Sequence, residues 1–170
     1  MIIDLIATKI FPYDFSASLA PEEIDLSGED VKLKSNVALE GKVIKKIMQA
    51  NVEGALNAGI EIECSRCLQP IDRKLDFSFE AAFVTEENYT ESKEAELKET
   101  DLDVSIFDGA KIDVNELVRE QILLNLPAQE FCSENCRGLC PKCGVNRNLI
   151  NCNCEEKEVD PRWSALKNLK

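Results

Sequence analysis

The sequence predicts an α+β domain: an antiparallel, barrel-like β-sheet, one main packed helix over about residues 113–126, and a C-terminal cysteine-rich zinc knuckle followed by a short terminal helix. Three observations predict it. Apolar and polar residues alternate with period two in several segments before residue 81. The period changes to that of a helix between 113 and 126. Eight cysteines and no histidine occur in 170 residues, and six of the cysteines crowd the last quarter.

The strands come first. Val31 and Leu33 alternate with Lys32 and Lys34, and Val37 and Leu39 with Ala38 and Glu40. Ile60 and Ile62 alternate with Glu61 and Glu63, and Leu75, Phe77 and Phe79 with Asp76, Ser78 and Glu80. One apolar face per strand is the pattern of half-buried antiparallel strands. Segment 43–57 suits a strand or a helix equally, and Gly41, Gly54 and Gly59 fall where turns or bulges are expected. Pro21-Glu22-Glu23 can open a short helical turn. For the main helix, Asp113 is the expected N-cap with Glu116 in capping-box position. Val114, Val118, Ile122 and Leu126 recur in steps of four, and Leu117, Leu123 and Leu124 widen the apolar surface. Pro127 ends the helix by disfavouring helical geometry at Leu126. A second, short helix is expected from Asp160 and Pro161, with Trp163, Leu166 and Leu169 on one face.

This organisation gives a core over 1–127, interrupted by an acidic loop at 86–103, and a cysteine-rich extension over 128–170 of the same domain. The net charge is −12, which opposes non-specific binding to phosphate backbones and suits a basic partner. Residues 86–103 hold eight acids against Lys93 and Lys98, a net of −6, or half of that total. Such a run is ordinarily a solvated flexible loop, and it could also serve as a landing strip for a basic protein. The opening MIIDLIATKIFPYDF lacks a basic n-region and carries Asp4 and Lys9, so it reads as neither a signal peptide nor a membrane span. The chain is expected in the cytoplasm, where paired cysteines are metal ligands or redox groups rather than disulfides.

Thiolates are soft ligands, and four of them close a tetrahedral zinc site. Cys140-Pro141-Lys142-Cys143-Gly144 is a knuckle whose backbone N–H groups point at sulfur, and Cys152 and Cys154 can complete its tetrahedron. Cys64 and Cys67 form a second C-x-x-C pair between two expected strands. The preferred second site joins them to Cys132 and Cys136; the alternative places Cys132 or Cys136 with Cys140 and Cys143 and leaves Cys64 and Cys67 free. One or two zinc ions are therefore expected, and a site closed by four cysteines has no open position for water, so the zinc is structural. Arg66, between two ligands, is expected to neutralise thiolate charge. The absence of histidine excludes mixed cysteine–histidine fingers, Ser-His and Cys-His catalysis and His-rich hydrolytic metal centres. The iron–sulfur spacings of ferredoxins differ from these. No βαβ pattern surrounds Cys64–Cys67, as thioredoxin-like chemistry requires.

Five segments in order resemble the YceD family: Cys64-Ser65-Arg66-Cys67-Leu68 after a strand; Glu120-x-Ile122-Leu123-Leu124-x-Leu126-Pro127; Cys136-x-Gly138-Leu139-Cys140-Pro141-x-Cys143-Gly144; Cys152-x-Cys154; and Asp160-Pro161-Arg162-Trp163. The resemblance covers roughly 35–170. It implies a bacterial or organellar ribosome-biogenesis protein, without catalytic activity or a small-molecule substrate, that promotes accumulation or processing of large-subunit (23S) rRNA. Some members that resemble this chain lack the full cysteine array, which implies that the β core and helix carry the shared function. The expected partner is a basic large-subunit ribosomal protein or a pre-ribosomal particle, met by the acidic surface. Lys42, Lys45, Lys46, Arg66, Arg73 and Lys74 are candidates for an rRNA contact or a partner contact, although such groups are more often a solvated sheet face. Two other classes remain open: a zinc-thiol redox sensor and a zinc-ribbon adaptor of the transcription machinery.

Overall fold

The computed structural model describes residues 1–46, 49–92 and 104–154 and Arg162. In chain order these form β1 (Ile2–Asp4), β2 (Tyr13–Leu19), a 3-10 turn (Pro21–Glu23), β3 (Val31–Leu33), β4 (Val37–Lys45), β5 (Gln49–Glu63), β6 (Pro70–Thr85), α1 (Glu86–Ser92), β7 (Val104–Phe107), β8 (Lys111–Asp113) and α2 (Val114–Leu124). The main sheet has the order β2-β4-β5-β6-β7, with β3 also paired to β5, and β1 and β8 form a separate two-stranded sheet.

Every pairing is antiparallel except β6–β7, which is parallel. The expected antiparallel sheet is thus mixed at one edge. It is also open, with β2 and β7 as its ends, so the barrel-like expectation is not met by closure. Closure needs tilted, staggered strands whose last member pairs with the first. Here β7 follows β6 only over Val104–Phe107, and it runs parallel to it.

Segment 43–57, ambiguous in sequence, is extended. Val43, Val52 and Leu56 are fully buried on the inner face, in register with Leu39 and its neighbours. Gly41 and Gly54 lie at no turn; they are register partners in the middle of β4 and β5. A Cβ on Gly41 would stand 2.8 Å from the Glu53 carbonyl oxygen and 3.0 Å from the Phe15 ring, and one on Gly54 would stand 2.9 Å from the Phe79 ring. Two aromatic rings therefore cover the backbone where side chains are missing.

α2 begins one residue later than expected and ends two earlier. Asp113 caps it through Asn115 N–H at 2.9 Å, and Glu116 pairs with Arg119. Val114, Leu117, Val118 and Ile122 are buried in one core with Leu39, Val43, Val52, Leu56 and Ile60 of the sheet. Asn115 also bonds the Glu23 carbonyl, and Arg119 bonds that of Asp25, so the helix is tied to the loop after β2. The predicted acidic loop is helical over Glu86–Ser92, and the rest of it, 93–103, lies outside the described residues. So does the expected terminal helix, apart from Arg162.

Candidate metal centres

β5 and β6 form a long hairpin whose turn is Cys64–Gln69. Its backbone closes on itself: Leu68 N–H donates to the Cys64 carbonyl, and Cys64 N–H to that of Gln69, both at 2.9 Å. Cys140–Val145 repeats these two bonds at 2.8 Å, with Gly144 in place of Leu68. Leu68 has φ +58° and Gly144 φ +73°, so both knuckles turn through the left-handed region.

Each knuckle supplies two sulfurs to a cluster of four. Cys64, Cys67, Cys132 and Cys136 form the first; Cys140, Cys143, Cys152 and Cys154 form the second. Within each cluster all Sγ atoms lie within 4.8 Å of one another. In the first, Cys64 and Cys136 are 3.8 Å apart and Cys67 and Cys132 3.6 Å. Tetrahedral zinc with Zn–S of about 2.3 Å would set its ligands about 3.8 Å apart. A disulfide would need about 2.05 Å.

The first cluster is the more enclosed. Cys64, Cys67 and Cys136 are buried with Ile71, against Phe131 and Leu139. Two arginines bring Cys132 and Cys136 to it. Arg66 donates to the carbonyls of Glu134 and Cys136 at 3.2 Å, and its guanidinium stacks 4.1 Å from the Phe131 ring. Arg73 holds Glu130 and the Phe131 carbonyl. Sulfur receives N–H groups as well, from Cys132 backbone to Cys64 at 3.4 Å and from the Asn148 side chain to Cys136 at 3.3 Å. In the second cluster Cys140 is buried, whereas Cys143 and Cys154 are exposed.

The thiols respond to this crowding in pairs. Burial opposes ionisation of Cys64, but N–H groups of Arg66, Cys132 and Cys67 outweigh it and bring the thiol down to about 6. The Gln69 N–H favours the Cys67 thiolate, yet burial and three neighbouring sulfurs push Cys67 up to about 12. N–H groups of Cys143 and Lys142 bring Cys140 to about 6, while the Cys143 sulfur, burial and Cys140 push Cys154 to about 12. Four touching sulfurs cannot all hold negative charge by themselves. A soft divalent cation removes that conflict, so the donor chemistry of both clusters fits one.

The model of the family described as Large ribosomal RNA subunit accumulation protein YceD matches residues 52–170. The chain belongs to the YceD family. The matched region contains all eight cysteines and α2. The chain is 28% identical to the Bacillus subtilis protein YlbN, an uncharacterized protein by name, over 92% of this chain and 87% of that one. An uncharacterized Mycobacterium tuberculosis protein is 30% identical over 68% of this chain and 53% of its own length. The Arabidopsis thaliana protein named Large ribosomal RNA subunit accumulation protein YCED homolog 1, chloroplastic, is 27% identical over 75% and 46% respectively. The chain thus spans about half the length of the mycobacterial and plant relatives. No solved structure matches it.

The six basic candidates of this YceD chain do not form one patch. Arg66 and Arg73 serve the first cluster, as described. Lys42 pairs with Glu53 at 2.9 Å, and Lys45 donates to the Leu5 carbonyl and lies over the Phe11 ring. Lys46 follows the end of β4, and Lys74 lies on the outer face of β6. Among the described residues no helix is long and apolar enough to cross a membrane.

Sequence reasoning missed a charged face. Asp14, Glu40, Glu53, Glu61, Glu63, Asp72, Asp76 and Glu80 share the outer side of β2, β4, β5 and β6 by register with Lys42 and Lys74, a net of −6. An open groove of about 860 Å³ there is lined by Asp14, Glu40, Glu53 and Glu80 with the small residues Ala55 and Ser78. The parity of the polar positions is the available signal, and the denser acid run at 86–103 outweighs it in the sequence. Asn148, Glu130 and Phe131 were also missed, and nothing in their local sequence marks them.

Proposed function

We propose that this chain is a non-enzymatic ribosome-biogenesis factor that promotes accumulation of large-subunit rRNA by holding a basic segment of a large-subunit ribosomal protein on its acidic sheet face. The role is supported by membership of the YceD family and by the names of the plant relatives. The observation that carries the partner's chemistry is the groove between Glu40, Glu53 and Glu80. Its floor carries small side chains, so an extended chain can approach the sheet while its lysines and arginines reach the carboxylates. Electrostatic complementarity of this kind steers encounter and excludes other acidic proteins and free nucleic acid.

Both clusters hold structural zinc in this reading. Four thiolates leave no open coordination position, so neither ion activates water. The described residues after Leu126 contribute few buried apolar side chains, and metal binding, worth on the order of 10 kcal/mol per site in zinc-finger peptides, supplies their folding free energy. The first ion clasps the tail to the β5–β6 turn.

The test is genetic. Cells lacking the protein should show a reduced ratio of large- to small-subunit rRNA. The native chain should restore it, and a folded Glu40→Gln/Glu53→Gln/Glu80→Gln variant should not. A normal rRNA ratio in the deletion strain would sink the role, and full rescue by the neutralised variant would sink the acidic-face mechanism.

A further inference from the structure

We infer that the two cysteine clusters bind metal cooperatively, with Asn148 as the positioning residue that links them. The inference rests on the reading of both clusters as metal sites. Asn148 lies in the loop between Cys143 and Cys152, two residues of the second cluster, yet its side-chain N–H donates at 3.3 Å to Cys136 Sγ of the first. Its Oδ1 accepts Arg137 N–H at 2.8 Å, so the amide is held by both ends and its donor group is aimed at sulfur.

The connection between clusters is short and stiff. Only three residues separate Cys136 from Cys140. Leu139 N–H donates to the Arg66 carbonyl of the first knuckle at 2.9 Å, and Arg147 N–H to the Gly138 carbonyl. Gly138 lies so close to that knuckle that a Cβ would stand 3.0 Å from the Arg66 carbonyl oxygen. Loop 144–151 is fixed at both ends by ligands of the second cluster. A metal there removes the loop's freedom and delivers the Asn148 N–H to the Cys136 thiolate, which strengthens the first site. An outer hydrogen bond to a ligand of this kind is worth about 10- to 100-fold in metal affinity. By linkage, a metal in the first cluster must strengthen the second by the same factor.

The experiment is cobalt(II) titration of the full-length apo chain against a chromophoric chelator, reading the thiolate-to-cobalt band of each site. Asn148→Asp keeps the acceptor for Arg137 N–H and removes the donor to sulfur. It should weaken the first site about 10- to 100-fold and shift that site's charge-transfer band. Cys152→Ser/Cys154→Ser should weaken the first site similarly, and combining it with Asn148→Asp should add little more, because both remove one interaction. Cys64→Ser/Cys67→Ser should weaken the second site by the same factor. The thermal transition of the β core serves as the folding control, since its hydrophobic cluster lies apart from both metal sites. Two cobalt ions bound with affinities and bands indifferent to these variants would overturn the coupling and leave the metal sites standing. Absence of any cobalt–thiolate band in the native chain would overturn both.

Discussion

The two knuckles allow one reciprocal prediction to be worked from backbone geometry. They share the same pair of hydrogen bonds, but one turns through Leu68 at φ +58° and the other through Gly144 at φ +73°. A left-handed conformation costs a residue with a Cβ roughly 1–2 kcal/mol and costs glycine nothing of that kind. A Cβ on Gly144 would meet no atom within 4 Å, so Gly144→Ala isolates the conformational cost from any clash. It should weaken metal binding at the second cluster by about 5- to 30-fold, the equivalent of 1–2 kcal/mol. The first cluster keeps its own knuckle, so its loss should be no more than what reaches it through Asn148. Leu68→Gly runs the other way. The side chain is 56% exposed, so little burial is lost, and relief of strain is offset by about 0.5–1 kcal/mol of glycine's unfolded freedom. The net should be neutral to about 1 kcal/mol stabilising. Competition with a chelator and denaturant unfolding of the loaded chain read both variants. Equal affinity of Gly144→Ala and native chain at the second cluster, or a large loss in Leu68→Gly, would refute the reasoning.

Four further outcomes are expected. Ile122→Ala removes a fully buried side chain from α2 and should cost about 2–5 kcal/mol in urea unfolding. Arg66→Ala removes two bonds to carbonyls and the stack on Phe131; it should weaken the first cluster by about 2 kcal/mol, and Arg66→Lys should not restore it, since a point charge cannot stack and fork. Chelation of the metal should abolish NMR dispersion for residues 130–154 while leaving the β-core signals, because the main core contains no cysteine. The pH dependence has a definite sign: Cys67 and Cys154, held up at about 12, must release protons when metal binds, and Cys64 and Cys140, brought down to about 6, stay ionised until the pH falls through that value. Metal binding should therefore liberate protons near neutrality, and affinity should fall with falling pH, steepening through about 6.

How far the sequence was legible follows from where each signal resides. Period-two alternation identified the inner residues of β3, β4 and β6 because those strands bury one face only. It was blind to Gly41 and Gly54, where the burying groups are the rings of Phe15 and Phe79 on neighbouring strands. The parallel pairing of β7 leaves no local trace, and neither does the openness of the sheet. Helix α2 was legible through its apolar steps and Asp113, while Glu116 turned to Arg119 rather than back to the cap. The C-x-x-C spacings marked both knuckles. The grouping of Cys64 and Cys67 with Cys132 and Cys136 was preferred in sequence over the alternative and is the grouping the fold brings together, through Arg66 and Arg73 acting on residues more than fifty positions away. Asn148 and the acidic groove are products of tertiary placement, and only the parity of the acids foreshadowed the latter.

The most direct test of the proposed role is a tagged pull-down from gently lysed cells, with RNA and protein read in the eluate before and after nuclease. The acidic-face mechanism predicts large-subunit ribosomal proteins that persist after nuclease and are lost with the Glu40→Gln/Glu53→Gln/Glu80→Gln variant. An eluate without large-subunit material, or one whose ribosomal proteins all vanish with the RNA, would contradict it.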